Sequence, residues 1–227
     1  GSTRETAVDR LQRSVVRSQP FAVLAMPDDI SAVRDDRFDG WTDYPLTDPL
    51  RYLDVTPNVD ATTARVAITD GRITQNLNPL AVEYRAEGTV LDLIYDPLVR
   101  RIGGEYVPWL ASDWEWHSTD DESGGEFVIS LRPGQIWHDD TALTANDVAF
   151  TFRFLADTSL DTLSHDVPAP RFRSLTSLVE EIDVVDDTTM RITVRKTSEE
   201  VAKQILTVPL LPEHIWRDKT NVADIQG

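Results

Sequence analysis

Apolar and polar residues alternate along the chain with a period that changes from segment to segment. Val8, Leu11 and Val15 fall at helical spacing, which predicts an amphipathic helix over residues 4–18, stopped by Pro20. The unbroken apolar run at 21–26 predicts a buried strand, closed by Pro27-Asp28-Asp29. Residues 35–58 are rich in Asp and Pro, an irregular loop anchored by Trp41, Tyr44 and Tyr52. Residues 56–60 read as a connection, 64–68 as a fresh strand and 89–94 as a helix. Gly103-Gly104 predicts a turn between short strands within 101–106. Residues 114–117 and 126–131 alternate as strands, the latter with Phe127, Ile129 and Leu131 on one face. Thr144 followed by Asp147 has the form of a capping box with Asp in place of Glu, opening a helix with Val148, Phe152 and Leu155 on one stripe. Residues 182–185 and 190–194 predict a hairpin around Asp186-Asp187-Thr188. Ser198 is placed to cap a helix carrying Val201, Ile205 and Leu206, and Pro212 to open a short one bearing Ile215 and Trp216. Together these elements predict a mixed α/β domain with several antiparallel hairpins.

Composition narrows the picture. The chain has 227 residues, enough to bury a sizeable core, and no apolar run approaches the ~18–20 residues that span a bilayer. Asp and Glu number 39 against 22 Lys and Arg, a formal net charge of -17. A surface of that sign repels nucleic acid and anionic lipid, so neither is expected as a partner. The acids are mostly Asp (27 of 39) and the bases mostly Arg, with 3 Lys. Acidic, Asp-rich and Lys-poor is the pattern of salt adaptation, because molar salt screens the self-repulsion. With no cysteine there is no disulfide, thiolate metal site or cysteine nucleophile. Residues 3–17 are charged and lack the apolar centre of a secretory signal peptide.

Chemistry-bearing motifs are sparse. The GxSxG, HExxH, GxxxxGK[ST] and GxGxxG patterns are all absent. Trp137-His138-Asp139-Asp140 has the residue types of a metal or acid/base cluster, but Asp favours a tight turn after a strand, and the turn is the expected role. His165-Asp166 falls in a loop and His214 on a helix surface. Trp109, Trp114, Trp116 and Trp137 read as packing aromatics. No catalytic constellation, metal site or cofactor site is expected, which leans toward a binding module.

A set of motifs at family-specific spacing goes further. Asn76-Leu77-Asn78-Pro79, Tyr95-Asp96-Pro97-Leu98-Val99, Val107-Pro108-Trp109-Leu110-Ala111 and Leu131-Arg132-Pro133-Gly134 follow in order. Trp137-His138-Asp139, Leu143-Thr144-Ala145-Asn146-Asp147-Val148 and Leu211-Pro212-Glu213-His214-Ile215-Trp216 complete the series. From about Arg65 to Trp216 the chain resembles the extracellular solute-binding proteins of family 5, the dipeptide/oligopeptide and nickel receptors of ABC importers. Asp140 departs from it, standing where the family usually has Gly. Residues 1–57 resemble the family's C-terminal end, and 58–227 its N-terminal region. The order is thus reversed, as in a circular permutant, an engineered fusion or a junction of tandem receptor units. The resemblance implies one lobe of a type II periplasmic-binding-protein-like fold, with a mixed sheet and antiparallel hairpins, built from both segments. It implies a non-enzymatic, extracellular or cell-surface receptor delivering a peptide-like small solute to an ABC permease. It places ligand contacts loosely at Glu83, Tyr84, Arg85, His165, Arg171 and Phe172. No Arg flanks Pro209-Leu210-Leu211-Pro212 to grip an anionic chelate, which ranks peptide above nickel chelate. An acidic hydrolase using His165-Asp166 is the reading from another class.

Overall fold

The computed structural model describes residues 3–19, 32–33, 35–42, 44, 48–58, 60, 63–67, 79, 85–119, 124–160, 172–195 and 197–218. Its centre is a four-stranded antiparallel sheet in the order β5-β6-β8-β7. β5 (Ala111–Ser118) and β6 (Gly124–Leu131) pair as Trp116 with Phe127 and Trp114 with Ile129. β8 (Thr189–Arg195) runs along the other edge of β6, and β7 (Val179–Val184) closes the sheet beyond it. Every strand pairing among the described residues is antiparallel.

Alternation decides which face is buried. Phe127 and Ile129 on β6 and Met190, Ile192 and Val194 on β8 are buried, and Glu126, Arg191 and Arg195 point away. The α3 helix (Ala145–Leu160) lays Val148, Phe152 and Leu155 on that apolar face, the stripe expected from its 3.6 spacing. Gly125 is required where β6 meets β5, because a Cβ there would overlap the Trp116 ring and the His117 carbonyl.

A second hairpin, β3 (Val99–Ile102) with β4 (Glu105–Pro108), turns on Gly103 and Gly104, both at positive φ. It sits beside α2 (Arg85–Leu91), which starts four residues before the expected 89–94 and ends in a turn through Ile94. After β8, α5 (Glu199–Ala202) runs into a 3-10 turn (Lys203–Thr207), and α6 (Glu213–Trp216) follows. Ser198 occupies the N-cap of α5 without a side-chain cap bond, and Pro212 is the N-cap of α6. Ile205, Leu206, Leu210, Leu211 and Trp216 are buried, whereas Val201 and Ile215 face solvent.

The described residues among the first 57 are more irregular. α1 (Thr3–Ser18) forms as expected, but Val8, Leu11 and Val15 are exposed, so no described residue covers the stripe. The strand expected at 21–26 lies outside the described residues. β1 (Phe38–Asp39) pairs with β2 (Thr56–Pro57), so the start of the expected connection is tied back to the first segment. Asn58 reinforces this, donating from its backbone to the Arg37 carbonyl and from its side chain to the Asp35 carbonyl. The strand expected at 64–68 does not form over its described part: residues 63–67 are exposed and have no regular structure. Alternation without a neighbouring strand cannot satisfy a ladder, so Val66 stays 42% exposed.

Candidate functional site

Three polar junctions hold the sequence motifs together. The first is on α3. Thr144 and Asp147 form the expected capping box: Asp147 Oδ2 accepts the Thr144 N–H at 2.9 Å, and Thr144 Oγ1 accepts the Asn146 N–H at 3.3 Å. The same Asp147, buried, turns its Oδ1 outward to the Glu213 N–H at 2.9 Å. One turn on, Thr151 Oγ1 accepts the Leu211 N–H at 2.9 Å and donates to the Asp147 carbonyl at 2.7 Å. Two side chains of one helix thereby fix both ends of the Leu211-Pro212-Glu213 segment.

The second junction joins that segment to the turn after β6. His214 Nε2 lies 2.7 Å from Asp139 Oδ2. The hydrogen bond from His214, helped by the Thr141 N–H, holds the Asp139 carboxyl down from 3.8 to about 2. Asp140 adopts φ 66, a left-handed conformation that Gly takes freely and Asp tolerates. Trp137-His138-Asp139-Asp140 is therefore a turn, and among the described residues no group of His, Asp and Glu is placed to hold a metal. His214 contributes a tertiary contact that its position on a helix surface did not announce.

The third junction is centred on Asp96. Its Oδ1 accepts from Trp109 Nε1 and from the Arg100 guanidinium, each at 2.7 Å. Arg100 also stacks 4.6 Å from the Trp109 ring centre and donates to the Asp92 carbonyl. The Asp96 carbonyl accepts the Leu210 N–H, and Pro97 bridges Pro209. Residues 95–100 and 207–211 are brought side by side.

A groove of about 540 Å³ opens along this seam, within the size range of small-molecule sites. Asp48 and Leu50 line it from the first segment, beside the 3-10 turn Pro49–Tyr52. Tyr95, Arg100, Arg101 and Tyr106 line it from the β3–β4 hairpin and the residues before it, and Gln204, Thr207 and Pro209 from the segment after α5. Burial pushes the Tyr95 phenol above its ordinary 10.0, partly offset by a hydrogen bond with Trp216. Asp48 accepts the Leu50 N–H at 2.9 Å, capping its turn. Arg51, buried, donates to the Tyr44 carbonyl.

Of the residues expected to contact ligand, Phe172 is buried against the core and also lines this groove. Arg85 begins α2, and nothing is described of its side chain. Glu83, Tyr84, His165 and Arg171 lie outside the described residues. The premise that no Arg neighbours Pro209 holds along the chain but not in space. The bridge between Pro97 and Pro209 puts Arg100 and Arg101 on the same groove as Thr207 and Pro209. Strand adjacency, not local sequence, supplies those arginines.

Known proteins share this architecture. Residues 105–224, more than half of the chain, match the family model for bacterial extracellular solute-binding proteins, family 5 Middle. The uncharacterized protein YejA of Escherichia coli strain K12 is 28% identical over 116 residues, 51% of this chain and 17% of its own length. The substrate-binding protein CtaP of an ABC transporter from Listeria monocytogenes superposes with a TM-score of 0.52 at 26% identity, over 68% of this chain and 29% of that one. NikZ of Campylobacter jejuni, in complex with Ni(L-His), superposes at 0.53 with 19% identity over 66% of this chain and 28% of that one. The oligopeptide-binding protein AppA of Bacillus subtilis, in complex with a nonapeptide, does so at 0.53 with 21% identity over 69% and 29%. The chain thus spans less than a third of these relatives, and its helices and antiparallel sheet are those of a periplasmic-binding-protein-like fold. Because that family model covers more than half of the chain, and the four-stranded sheet lies within it, the chain belongs to the bacterial extracellular solute-binding proteins of family 5.

Proposed function

We propose that this chain is one lobe of the substrate-binding component of an ABC importer for dipeptides or oligopeptides. The observation that carries the reading is the family model over residues 105–224, which spans β4 to α6 and holds the α3 and His214–Asp139 junctions. The substrate-binding protein from Listeria, at 26% identity, supports the transporter role, and the nonapeptide held by the Bacillus protein is in keeping with a peptide solute. In such receptors two lobes close over the solute like a hinge, and this lobe supplies one wall. Its permease partner and its place outside the cell follow from the same reading. Among the described residues no helix is long and apolar enough to cross a membrane.

A nickel chelate or other small solute of the same family is the second reading, favoured by Arg100 and Arg101 on the groove. Calorimetry separates the two. A mixed library of di- to pentapeptides and, separately, Ni(L-His) are titrated into this chain and into a two-lobed receptor that contains it. The two-lobed receptor is expected to bind peptide tightly, and this chain alone far more weakly, because each ~1.4 kcal/mol of lost contact is tenfold in affinity. Micromolar binding of peptide by this chain alone would overturn the one-lobe assignment. Preference of the receptor for Ni(L-His) over every peptide pool would replace the peptide reading.

A further inference from the structure

Among the described residues that line the groove, one cation has no described charge partner. Arg100 is spoken for: its side chain is 13% exposed, and its guanidinium is paired with Asp96 and stacked on Trp109. Asp48 is occupied as a cap. Arg101, the next residue on β3, also lines the groove and is exposed. Its Nε donates to the Gly104 carbonyl at 3.1 Å, and its guanidinium carbon lies 5.6 Å from the centre of the Tyr106 ring. Those contacts orient the planar fork without neutralising it, and Arg101 makes no ion pair with a described residue. That is unusual company in a chain with 39 acidic residues against 22 basic. The groove around it carries the rings of Tyr95, Tyr106 and Phe172, the neutral polar groups of Gln204 and Thr207, and the carboxylates of Asp48 and Asp92, which leave Arg101 as the feature that would favour an anion.

We propose that Arg101 is the carboxylate-gripping residue of this lobe, and that the groove takes the acid end of a small solute with an aromatic or branched apolar body. An Arg fork gives a carboxylate two parallel, charge-assisted hydrogen bonds that a neutral amide cannot reproduce. The Tyr106 ring holds the guanidinium plane, so little side-chain freedom remains to be lost on binding. The aromatic wall accepts the body of the solute through area burial and ring contact. This inference rests on the solute-receptor reading but adds to it a site and a role. The acid has two sources with the same chemistry, a free organic acid or the C-terminus of a short peptide.

The test uses the 227-residue chain at one fixed salt concentration, with chemical-shift perturbation or calorimetry as readout. Two matched pairs are titrated: phenylacetate with phenylacetamide, and the dipeptide Ala-Phe with its C-terminal amide. The expected result is millimolar binding of at least one acid and a loss of about tenfold or more for its amide. The acid that binds more tightly identifies the source. Arg101→Gln should erase the difference between acid and amide, and Arg101→Lys should restore part of it, since charge returns without the fork. Arg101 is exposed, so both variants are expected to fold, which circular dichroism verifies. Equal binding of acid and amide in both pairs, no binding of either acid, or an acid preference that survives Arg101→Gln would each overturn the proposal. The solute-receptor reading is judged separately, since peptide binding by the two-lobed receptor does not depend on where its carboxylate is held.

Discussion

Asp147 carries more structural duty than its place in a helix-starting motif suggests. One oxygen closes the cap of α3 and the other holds the Glu213 N–H, while Thr151 holds Leu211. Asp147→Ala orphans both N–H groups, and with desolvation near 1–3 kcal/mol for each the expected destabilisation is roughly 2–4 kcal/mol. Thr151→Val orphans only the Leu211 donor and should cost about 1–3 kcal/mol. The pair clamp the same segment, so the double variant should fall short of the sum. Urea midpoints at unchanged slope measure all three; a neutral Asp147→Ala would show that the 211–213 segment is held by packing alone. Asp139 makes a different kind of contribution. The His214 hydrogen bond lowers its folded-state pKa from 3.8 to about 2, so the stability it adds is present above 3.8 and is lost as the pH falls toward 2. Asp139→Asn lacks that carboxylate. The difference in urea midpoint between wild type and Asp139→Asn should therefore be steady near pH 5 and shrink between about pH 4 and pH 2. The side chain faces solvent, so the effect is modest and weakens with salt. Parallel pH profiles for the two proteins would mean the His214 contact is not formed in solution.

At the level of elements, what local pattern could reveal was decided by whether the partner lay nearby in the chain. The two hairpins, the capping box at Thr144 and the stripe of Val148, Phe152 and Leu155 are local signals, and they appear where they were expected. The His214–Asp139 contact joins residues 75 apart, and Arg101 meets Pro209 only because β3 is docked beside the 207–211 segment, so neither is visible in a window of sequence. Residues 64–68 mislead for the opposite reason: they carry a strand's alternation, yet the described residues 63–67 have no neighbouring strand. The sheet face of Phe127 and Ile129 was legible because period two has one interpretation, whereas α1 shows an apolar stripe that no described residue covers. The connection between the two segments can be located experimentally. Residues 56–58 are tied to β1 and Arg37, while Arg65 is exposed in a stretch without hydrogen-bonded structure. Limited trypsin digestion should cut first at Arg65. We expect the two pieces to stay associated, because Asp48 and Leu50 share a groove with Tyr95, Tyr106 and Phe172. First cleavage elsewhere in the described part of the chain, or a fragment from residue 66 onward that is as stable alone, would make the first segment an independent appendage.

The whole molecule must hold a formal charge of -17 in one fold. Local pairing does little to offset it. The ion pairs Arg13–Asp9, Arg191–Glu126 and Lys203–Glu199 lie at the surface, where each contributes no more than about 1 kcal/mol. Glu115, Glu126, Glu181 and Asp183 all sit on the sheet strands away from the core, four acids on a face where β8 supplies Arg191 and Arg195. Screening is the remaining remedy. At about 0.1 M salt the Debye length is ~10 Å, comparable to the spacing of charges across the sheet, and the repulsion acts in full. At 1 M it shrinks to ~3 Å, and charges on neighbouring strands no longer sense each other strongly. We therefore expect the melting temperature to rise steadily between ~0.1 M and about 2 M NaCl, with loss of cooperative unfolding at the low end. Differential scanning calorimetry measures it. Because screening depends on ionic strength, KCl should substitute for NaCl, and isosmolar sucrose should not reproduce the low-salt part of the rise. A melting temperature that stays constant across the series, or that sucrose raises equally, would mean that charge repulsion does not limit this fold and that its acidity serves something other than salt.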